Sequence, residues 1–336
     1  MRENQFCRRC FRQPYGISLL AVFVLVSLAM LAGCGHLASS SGTFDRTLSV
    51  RGPVQIHIMV PAGTARITPG VDGQVHIHAE FTVQTWPWQN PGDRARKLSE
   101  DPPIHQQESL IHIGEEGHGV ANLSVTYTIQ VPADTEVHGG GDSGRFEVTG
   151  IRGPLQLTTG SGSDQVAGVQ EDVTLISGTG HISVAGAQGD VDITSGTGDI
   201  EAAGCKGTLH GHTGSGNISV AGPGAAVTLG SGNGTVRLAG LQHDARVETS
   251  SGSITVAGSP VQQSYWEFHT SSGNVTLQLP PDAKFRLYAH SESGKISSDV
   301  PLAAEESDSK HDLRAHTSEA GSRIEIRTVS GGIHLQ

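Results

Sequence analysis

Seventeen histidines stand in this chain of 336 residues, and two of them, His210 and His212, are two positions apart. Residues at i and i+2 of a β-strand point to the same face, so both imidazoles would project together. Asp192 stands 18 residues before His210 and would lie beside it if the chain repeats with that period. Two imidazoles and a carboxylate are suitable ligands for Zn²⁺ or Cu²⁺. Exposed strand histidines are more commonly solvated, so we assign no metal ligand and leave binding by this pair open.

Two segments resemble catalytic or ion-binding motifs without their full complement of residues. Gly141-Asp142-Ser143-Gly144 has the form of the segment that carries the nucleophilic serine of trypsin-like proteases, but no matching histidine motif accompanies it. Calcium-binding β-rolls place an aspartate in every turn, whereas Asp199 is the one aspartate among seven equivalent positions here. The sequence therefore predicts no catalytic residue, no bound cofactor and no calcium ladder. A weak ion site stays open in the opposite turn, at Asp172, Asp190 and Asp244.

Aromatic and thiol side chains are the remaining candidates. Trp86 and Trp88 lie in an insert, and aromatic residues on a loop that leaves a rigid scaffold can hold carbohydrate or a partner. We favour the competing interpretation, a cap over the first coil. Cys205 shares its repeat position with Val169 and Ala187, which favours a small, half-buried apolar side chain over a reactive thiol. A polymer-cleaving enzyme would need paired carboxylates with basic neighbours on one face, and none is recognisable, so we predict that the protein is not an enzyme.

A repeat of 18 residues carries most of these side chains. Glycine accounts for 45 of the 336 residues and recurs at this spacing in two columns. The first column comprises Gly144, Gly162, Gly180, Gly198, Gly216, Gly234 and Gly252, and the second comprises Gly150, Gly168, Gly186, Gly204, Gly222, Gly240 and Gly258. Glycine permits a positive φ and close approach of backbones, so both columns predict the corners of a repeating coil.

Apolar and polar residues alternate inside each repeat, which is the period of a half-buried strand. Two short strands per 18-residue coil predict an all-β fold, a parallel β-solenoid that resembles a β-helix and has a core of Ile, Val and Leu. One inward column carries hydroxyl groups and predicts a stacked ladder at a corner: Thr159, Ser177, Ser195, Thr213, Ser231 and Thr249. Asp164 interrupts an apolar column, and we favour a local slip or a corner reached by solvent over a functional buried acid.

The predicted solenoid is a single domain over residues 43–336. It divides into irregular N-terminal coils, regular repeats and C-terminal coils, at residues 43–138, 139–258 and 259–336. Terminal coils must cap exposed sheet edges, so irregularity there is expected. A single helical turn is predicted at Arg94–Leu98, and Arg323–Ile333 is predicted to form the last coil.

Residues 1–33 predict an export signal that is not part of the fold. Arginines precede the apolar run Ile17–Leu31, which is short for a membrane span and suits a signal peptide. The run ends in Leu31-Ala32-Gly33-Cys34, which resembles the lipobox of bacterial lipoproteins. This resemblance implies cleavage before Cys34, lipid attachment to its thiol and a lipidated tether over residues 34–42. Gly35 stands where inner-membrane retention signals have aspartate, which favours the outer membrane or the cell surface.

Charge and cysteine content exclude other classes of protein. Lys and Arg number 22 against 33 for Asp and Glu, a formal net charge of −11. Nucleic-acid binding relies on basic contacts with phosphates, so we predict no nucleic-acid partner. The four cysteines are too few and too scattered for a disulfide framework.

Three stretches resemble the bacterial adhesin-like β-solenoid family called Toastrack. They are Tyr127–Thr135, the run of S-G-[ST]-G turns, and Ile326–Gly331. The resemblance covers most of residues 43–336 and implies one extracytoplasmic β-solenoid domain, often anchored by lipid. Because the function of this family is largely unassigned, the resemblance informs the fold more than the function.

The anchor and the repeated polar faces lead to a first hypothesis of function. We expect a non-enzymatic, lipid-anchored cell-envelope protein, adhesin-like or scaffolding, that binds a partner or polysaccharide through its solenoid faces. The alternative is a periplasmic envelope-stress sensor or signalling accessory. The expected partners are the membrane, through the lipid, and an envelope protein or polysaccharide.

Overall fold

A computed structural model describes residues 37–86, 90–114, 122–304, 311–318 and 321–336. Their strands form two long sheets, A and B, which face each other across an apolar core. Sheet A contains, in order from edge to edge, β1 (Ala38–Ser49), β4 (Gln74–Thr85), β7 (Leu123–Val131), β3 (Ala62–Pro69), β9 (Ser143–Thr149), β11 (Asp164–Ala167), β13 (Ile182–Ala185), β15 (Ile200–Ala203), β17 (Ile218–Ala221), β19 (Val236–Leu241), β21 (Ile254–Gly258), β23 (Val275–Gln278), β29 (Ile333–Leu335) and β25 (Ile296–Ser298). Sheet B contains β26 (Ala303–Ala304), β27 (Asp312–His316), β24 (Phe285–Ser291), β28 (Ser322–Thr328), β22 (Tyr265–Thr270), β20 (Ala245–Thr249), β18 (Val227–Ser231), β16 (Leu209–Thr213), β14 (Val191–Thr197), β12 (Val173–Thr179), β10 (Leu155–Ser161), β8 (Glu136–Gly141), β2 (Gln55–Met59), β6 (Leu110–Ile113) and β5 (Ile104–Gln107).

Successive coils pair in parallel at the predicted period of 18 residues. Val173 of β12 faces Val191 of β14, and Ile182 of β13 faces Ile200 of β15. These inward residues are almost fully buried, while the residues between them point to solvent. The predicted parallel β-solenoid of two-strand coils is therefore confirmed.

The two glycine columns are required for two different physical reasons. In the first column, a Cβ on Gly216 would lie 2.1 Å from the carbonyl oxygen of Gly198 in the preceding coil, closer than any side chain tolerates. In the second column, Gly222 has open space around it but a φ of +59°, which is strained for residues with a Cβ. Close approach of neighbouring coils therefore requires glycine in the first column. A left-handed backbone requires it at most positions of the second column.

The predicted hydroxyl ladder is present and buried. Three of its hydroxyl groups, on Thr213, Ser231 and Thr249, donate hydrogen bonds to glycine carbonyls of the preceding coil, as Thr213 does to Gly198 over 3.0 Å. Asp164, predicted to be a slip or a solvent-reached corner, is instead 1% exposed and remains in register. Its carboxylate accepts hydrogen bonds from the Phe146 N–H and the Thr159 hydroxyl. Those two donors explain how the core accommodates an acid, which an alternation pattern does not reveal.

At both ends the coils are stacked in an order that differs from their order in the chain. The coil of β2 and β3 lies between the coil of β6 and β7 and the coil of β8 and β9. The coil of β28 and β29 lies between that of β22 and β23 and that of β24 and β25. The segment Arg323–Ile333 is therefore the last coil in the chain but not in the stack, which corrects the prediction. Strands β24 and β28 share one alternating pattern, so the pattern could not decide which of them pairs with β22.

The N-terminal end of sheet A closes with antiparallel strands. Strand β1 pairs with β4, which pairs with β7, both antiparallel. Residues 38–42, part of the predicted tether, therefore belong to an edge strand. Their small polar side chains resemble a linker, but the backbone has a partner, and a Cβ on Gly42 would meet Phe81 and Ser99. The helix α1 (Pro91–Glu100), longer than the predicted turn, supplies Ser99 and packs against β1 and β4.

Several sequence-based predictions fall outside the described residues. The export signal and the lipobox, including Cys34, belong to this group, as does Trp88. Within the part of the chain that the structure covers, no helix is long and apolar enough to cross a membrane.

Candidate ligand-binding face

The outer face of sheet B, here called the sheet B face, carries polar side chains in rows that run from coil to coil. The rows form because parallel strands in register place equivalent residues side by side. The central row comprises His138, Gln156, Thr174, Asp192, His210, Thr228 and Arg246. Three cavities open on this face, with volumes of about 740, 260 and 360 Å³ from its N-terminal to its C-terminal end.

The cavity at the N-terminal end, the histidine groove, follows a row of four histidines. His105, His112, His57 and His138 are in register on the adjacent strands β5, β6, β2 and β8. The ring of His57 lies 5.0 Å from that of His112 and 4.8 Å from that of His138, centre to centre. His138 is fixed on one side by Glu136, 2.7 Å from Nε2, and on the other by Gln156, 3.1 Å from Nδ1.

Two residues without side chains open the space beside this row. Gly114 follows β6 at a φ of +95°. Gly140 stands two residues after His138 on strand β8, on the same outward face. A Cβ on Gly140 would lie 2.9 Å from the sulfur of Met59, so even alanine would narrow the groove. Imidazoles along one wall and a thioether on the other suit a ligand with both polar and apolar parts.

The histidines do not form a preformed metal centre. Among the described residues, no group of three or more His, Cys, Asp or Glu side chains is arranged to hold a metal ion. The pair predicted from sequence, His210 and His212, lies on the sheet B face with Asp192 beside His210, as its spacing indicated. All three residues line the central cavity with Arg246 and Glu248. The histidines of both cavities therefore line these cavities as polar side chains.

The third cavity, the Arg–Tyr groove, lies where β22, β28, β24 and β27 run side by side. Arg314, Arg323 and Arg327 line it with Tyr288 and Glu325. Tyr265 completes it from the neighbouring strand, because its hydroxyl donates a hydrogen bond of 2.9 Å to Glu325. Arg323, Glu325 and Arg327 belong to the coil predicted at Arg323–Ile333, but no spacing in the sequence marked any residue of this groove as a candidate site.

Glu325 is the anchor of this groove. Its two carboxylate oxygens separately accept hydrogen bonds from Arg323 and Arg327, two residues away on either side. Its side chain is only 9% exposed, although it points outward from the sheet. Burial alone would raise the pKa of Glu325, but the hydrogen bond from Tyr265 and the charges of Arg327 and Arg323 outweigh it and lower the pKa. The carboxylate is therefore held ionised beneath two guanidinium groups.

The structure corrects one sequence-based expectation at this point. Glu267 on β22 is in register with Glu325 on β28, so two carboxylates with basic neighbours do share one face. They were missed because 58 residues separate them and only the unexpected coil order brings them together. Arg246 binds Glu267 at 3.1 Å, and the pKa of Glu325 is lowered. General acid catalysis would need one carboxyl group with a raised pKa, so this pair is better suited to positioning arginines.

The aspartates considered as ion ligands have structural partners. Asp199 accepts a hydrogen bond from the Asn217 N–H of the next coil, at 2.7 Å. Asp172, Asp190 and Asp244 likewise accept backbone N–H groups of the following coils. These carboxylates satisfy backbone donors at the turns, which accounts for their positions without an ion.

The other singled-out residues occupy varied environments. Cys205 is 2% exposed at a coil corner, more deeply buried than the half-buried side chain predicted, and burial raises the pKa of its thiol. Ser143 lies with its Oγ 3.3 Å from that of Ser161 in the adjacent coil. Trp86 follows β4 and is 47% exposed.

Fold and surface together define a parallel β-solenoid with grooves along one sheet face. Residues 207–336 match the Toastrack DUF4097 family, which confirms the predicted resemblance for this part of the chain. The sequence matches no curated protein.

Among solved structures, the chain is similar to a "putative adhesin" from Parabacteroides merdae, at 10% identity over 88% of this chain and 96% of that one, with a TM-score of 0.31. It is also similar to a "putative adhesin" and a "Putative lipid binding protein" from Parabacteroides distasonis, each at 11% identity. These cover 90% and 88% of this chain and 98% and 97% of theirs, with TM-scores of 0.31 and 0.30. Such distant likenesses carry no argument about function.

Proposed function

We propose that this protein is a non-enzymatic, adhesin-like binding protein of the bacterial cell envelope, lipid-anchored at Cys34, that holds a partner or polysaccharide on its sheet B face. One observation carries the proposal: three cavities lined by polar side chains open on the same face of a rigid solenoid. A ligand that spans several coils could contact all three. The lipobox-like sequence supplies the anchor in this proposal and places the solenoid at a membrane surface.

The binding face can be tested by blocking one side of a single coil. Thr228 on β18 points outward from sheet B, and Ser219 on β17 points outward from sheet A. Each is replaced by cysteine in a Cys205→Ala background and coupled to a bulky maleimide, and binding to an array of bacterial and host polysaccharides is measured. The adduct on Thr228→Cys should abolish binding, whereas the adduct on Ser219→Cys should leave it intact. Equal binding by both adducts would contradict the assignment of the face.

Location is tested separately on intact cells. The tagged protein should be accessible to external protease and antibody, and Cys34→Ala should abolish acyl labelling and membrane retention. Accessibility only after the outer membrane is opened would favour the alternative, a periplasmic stress sensor or signalling accessory. Unchanged membrane association of Cys34→Ala would rule out lipid attachment at that residue.

A further inference from the structure

We propose that the Arg–Tyr groove binds the carboxylate groups of an acidic polysaccharide. This inference deepens the proposed function, on which it rests, by naming the chemistry of the ligand and the place where it binds. It follows from three properties of the groove: oriented guanidinium donors, exposed tyrosine rings and a local excess of positive charge.

The guanidinium groups are fixed before any ligand arrives. Arg323 and Arg327 each use one nitrogen to bind the buried Glu325, while the side chains remain 53% and 62% exposed. A guanidinium group has five N–H donors in a planar fork, so most donors of each arginine stay available on the solvent side. This fork binds carboxylates, as it binds phosphates, in bidentate fashion. Because Glu325 holds both arginines, little side-chain entropy remains to be lost on binding.

Tyrosine rings give the groove a second kind of contact. The guanidinium carbon of Arg323 lies 5.5 Å from the centre of the Tyr265 ring and 5.2 Å from that of Tyr288. Arg323 is therefore held between two rings, each more than one-third exposed. An exposed aromatic ring beside charged donors offers an apolar surface to the C–H face of a sugar while the arginines bind its acid group.

Charge favours an anionic ligand in this groove. Arg314, Arg323 and Arg327 line the groove with two carboxylates, Glu325 and Asp312, which leaves a formal excess of one positive charge in a chain of net charge −11. The nearby Glu267 is neutralised by its ion pair with Arg246. Arg286 lies opposite Arg323 on the neighbouring strand and adds another. Within the described part of the chain, Arg286 and Arg314 form no ion pair. A positive site on an acidic protein attracts anions selectively to that site.

The test uses polygalacturonate as the acidic probe and its fully methyl-esterified form as the matched neutral polymer. Binding of both polymers to the full-length protein in detergent is measured by titration calorimetry at low salt. The acidic polymer should bind and the ester should not, and added salt should weaken the binding. Arg314→Gln should weaken it roughly tenfold, and the double variant Arg286→Gln/Arg314→Gln further, since each removes charge-assisted hydrogen bonds.

The matched control is Arg237→Gln, which removes the same charge from an exposed site on the outer face of sheet A. Its affinity for polygalacturonate should equal that of the parent protein. An equal loss in Arg237→Gln and Arg314→Gln would overturn the proposal, because net charge alone would then explain binding. Tyr288→Phe should bind like the parent, while Tyr288→Leu should bind about fivefold more weakly through loss of the ring.

Two further outcomes separate this inference from the proposed function. If polygalacturonate fails to bind but another polysaccharide binds and the adduct on Thr228→Cys blocks it, the inference is wrong and the proposed function stands. If no polysaccharide binds at all, the inference is wrong, and so is the polysaccharide-binding part of the proposed function. Vesicles of phosphatidylglycerol, with phosphatidylcholine as reference, provide the last arm. If the protein binds the anionic vesicles through this groove but does not bind polygalacturonate, the ligand is a lipid phosphate and the proposal is wrong.

Discussion

Replacing Gly216 with alanine should damage the solenoid far more than replacing Gly222, although the two glycines flank the same strand, β17. A Cβ on Gly216 would lie 2.1 Å from the carbonyl oxygen of Gly198 and 2.6 Å from its carbon. No shift of a flexible side chain can relieve this clash, because both atoms belong to backbone. A Cβ on Gly222 would meet nothing within 4 Å, so only its φ of +59° opposes alanine there.

The expected difference follows from the hydrogen bonds between the two coils. To admit the Cβ, the coils must separate by about 1 Å at this corner, which breaks the Thr213 hydroxyl bond to Gly198 (3.0 Å) and the Ile200 N–H bond to Asn217 (2.9 Å). Each buried group left without a partner costs about 1–3 kcal/mol, so Gly216→Ala should lower the free energy of unfolding by roughly 3–5 kcal/mol. A left-handed alanine costs about 1–2 kcal/mol, which sets the value for Gly222→Ala.

Urea unfolding followed by circular dichroism measures both values, and hydrogen exchange locates the damage. Exchange in Gly216→Ala should accelerate in β15 and β17 before distant coils, because each coil contacts only its neighbours. Gly222→Asn provides the internal control, since asparagine adopts the left-handed region more easily than alanine and should recover part of the loss. If Gly216→Ala destabilises the protein no more than Gly222→Ala, close approach of the coils does not explain why the first column consists of glycine.

Three further predictions concern buried groups. Burial raises the pKa of Asp164 despite hydrogen bonds from Thr159 and Phe146, so the folded state favours the neutral acid. The free energy of unfolding should therefore fall as pH rises from the ordinary aspartate pKa of about 4 through the raised pKa of the folded state. In Asp164→Asn the amide oxygen accepts from the Phe146 N–H and the amide nitrogen donates to the Thr159 hydroxyl, which rotates to accept. This variant should therefore be more stable than the parent at pH 7 but not at pH 4 in urea unfolding; an equal difference at both values would contradict the assignment. Cys205, buried with a raised pKa, should react with a thiol reagent only under unfolding conditions, which peptide mass spectrometry can follow; rapid labelling of the native protein would show an open corner. Trp266 is fully buried and its indole N–H donates a 2.7 Å bond to a backbone carbonyl, so Trp266→Phe should cost about 1–3 kcal/mol in thermal or urea unfolding, and no loss would refute the packing described.

The repeat made the central coils predictable. Alternation placed Val184 inside and Ser183 outside, and a spacing of 18 set the register of each strand against the next. For the same reason Cys205 was expected to be an apolar corner residue, because its column is hydrophobic, although it is more buried than predicted. These are local properties. Side-chain direction alternates along a strand, and coils of equal length and equal apolar pattern bury that pattern only when they stack in register.

Both end grooves escaped prediction because they depend on pairing between strands of unequal spacing. His57, His105, His112 and His138 are separated by intervals that share no period, yet they form one row. Each histidine lies in a segment with a strand-like pattern, but the sequence did not show which strands pair with each other. Asp164 shows a smaller case, in which two hydrogen-bond donors convert an apparent flaw into a satisfied buried group.

The sequence by itself determined a β-solenoid of two-strand coils, its inward columns and both glycine columns, because these depend on periodicity and on the conformational limits of each residue type. Tertiary structure alone decided the order of the terminal coils. The insertion of β28 between β22 and β24 brings Tyr265, Glu325 and Tyr288 onto adjacent strands and thereby creates the Arg–Tyr groove. Strands of equal apolar pattern can exchange places without changing which residues they bury, so the choice among them rests on contacts between segments far apart in the chain.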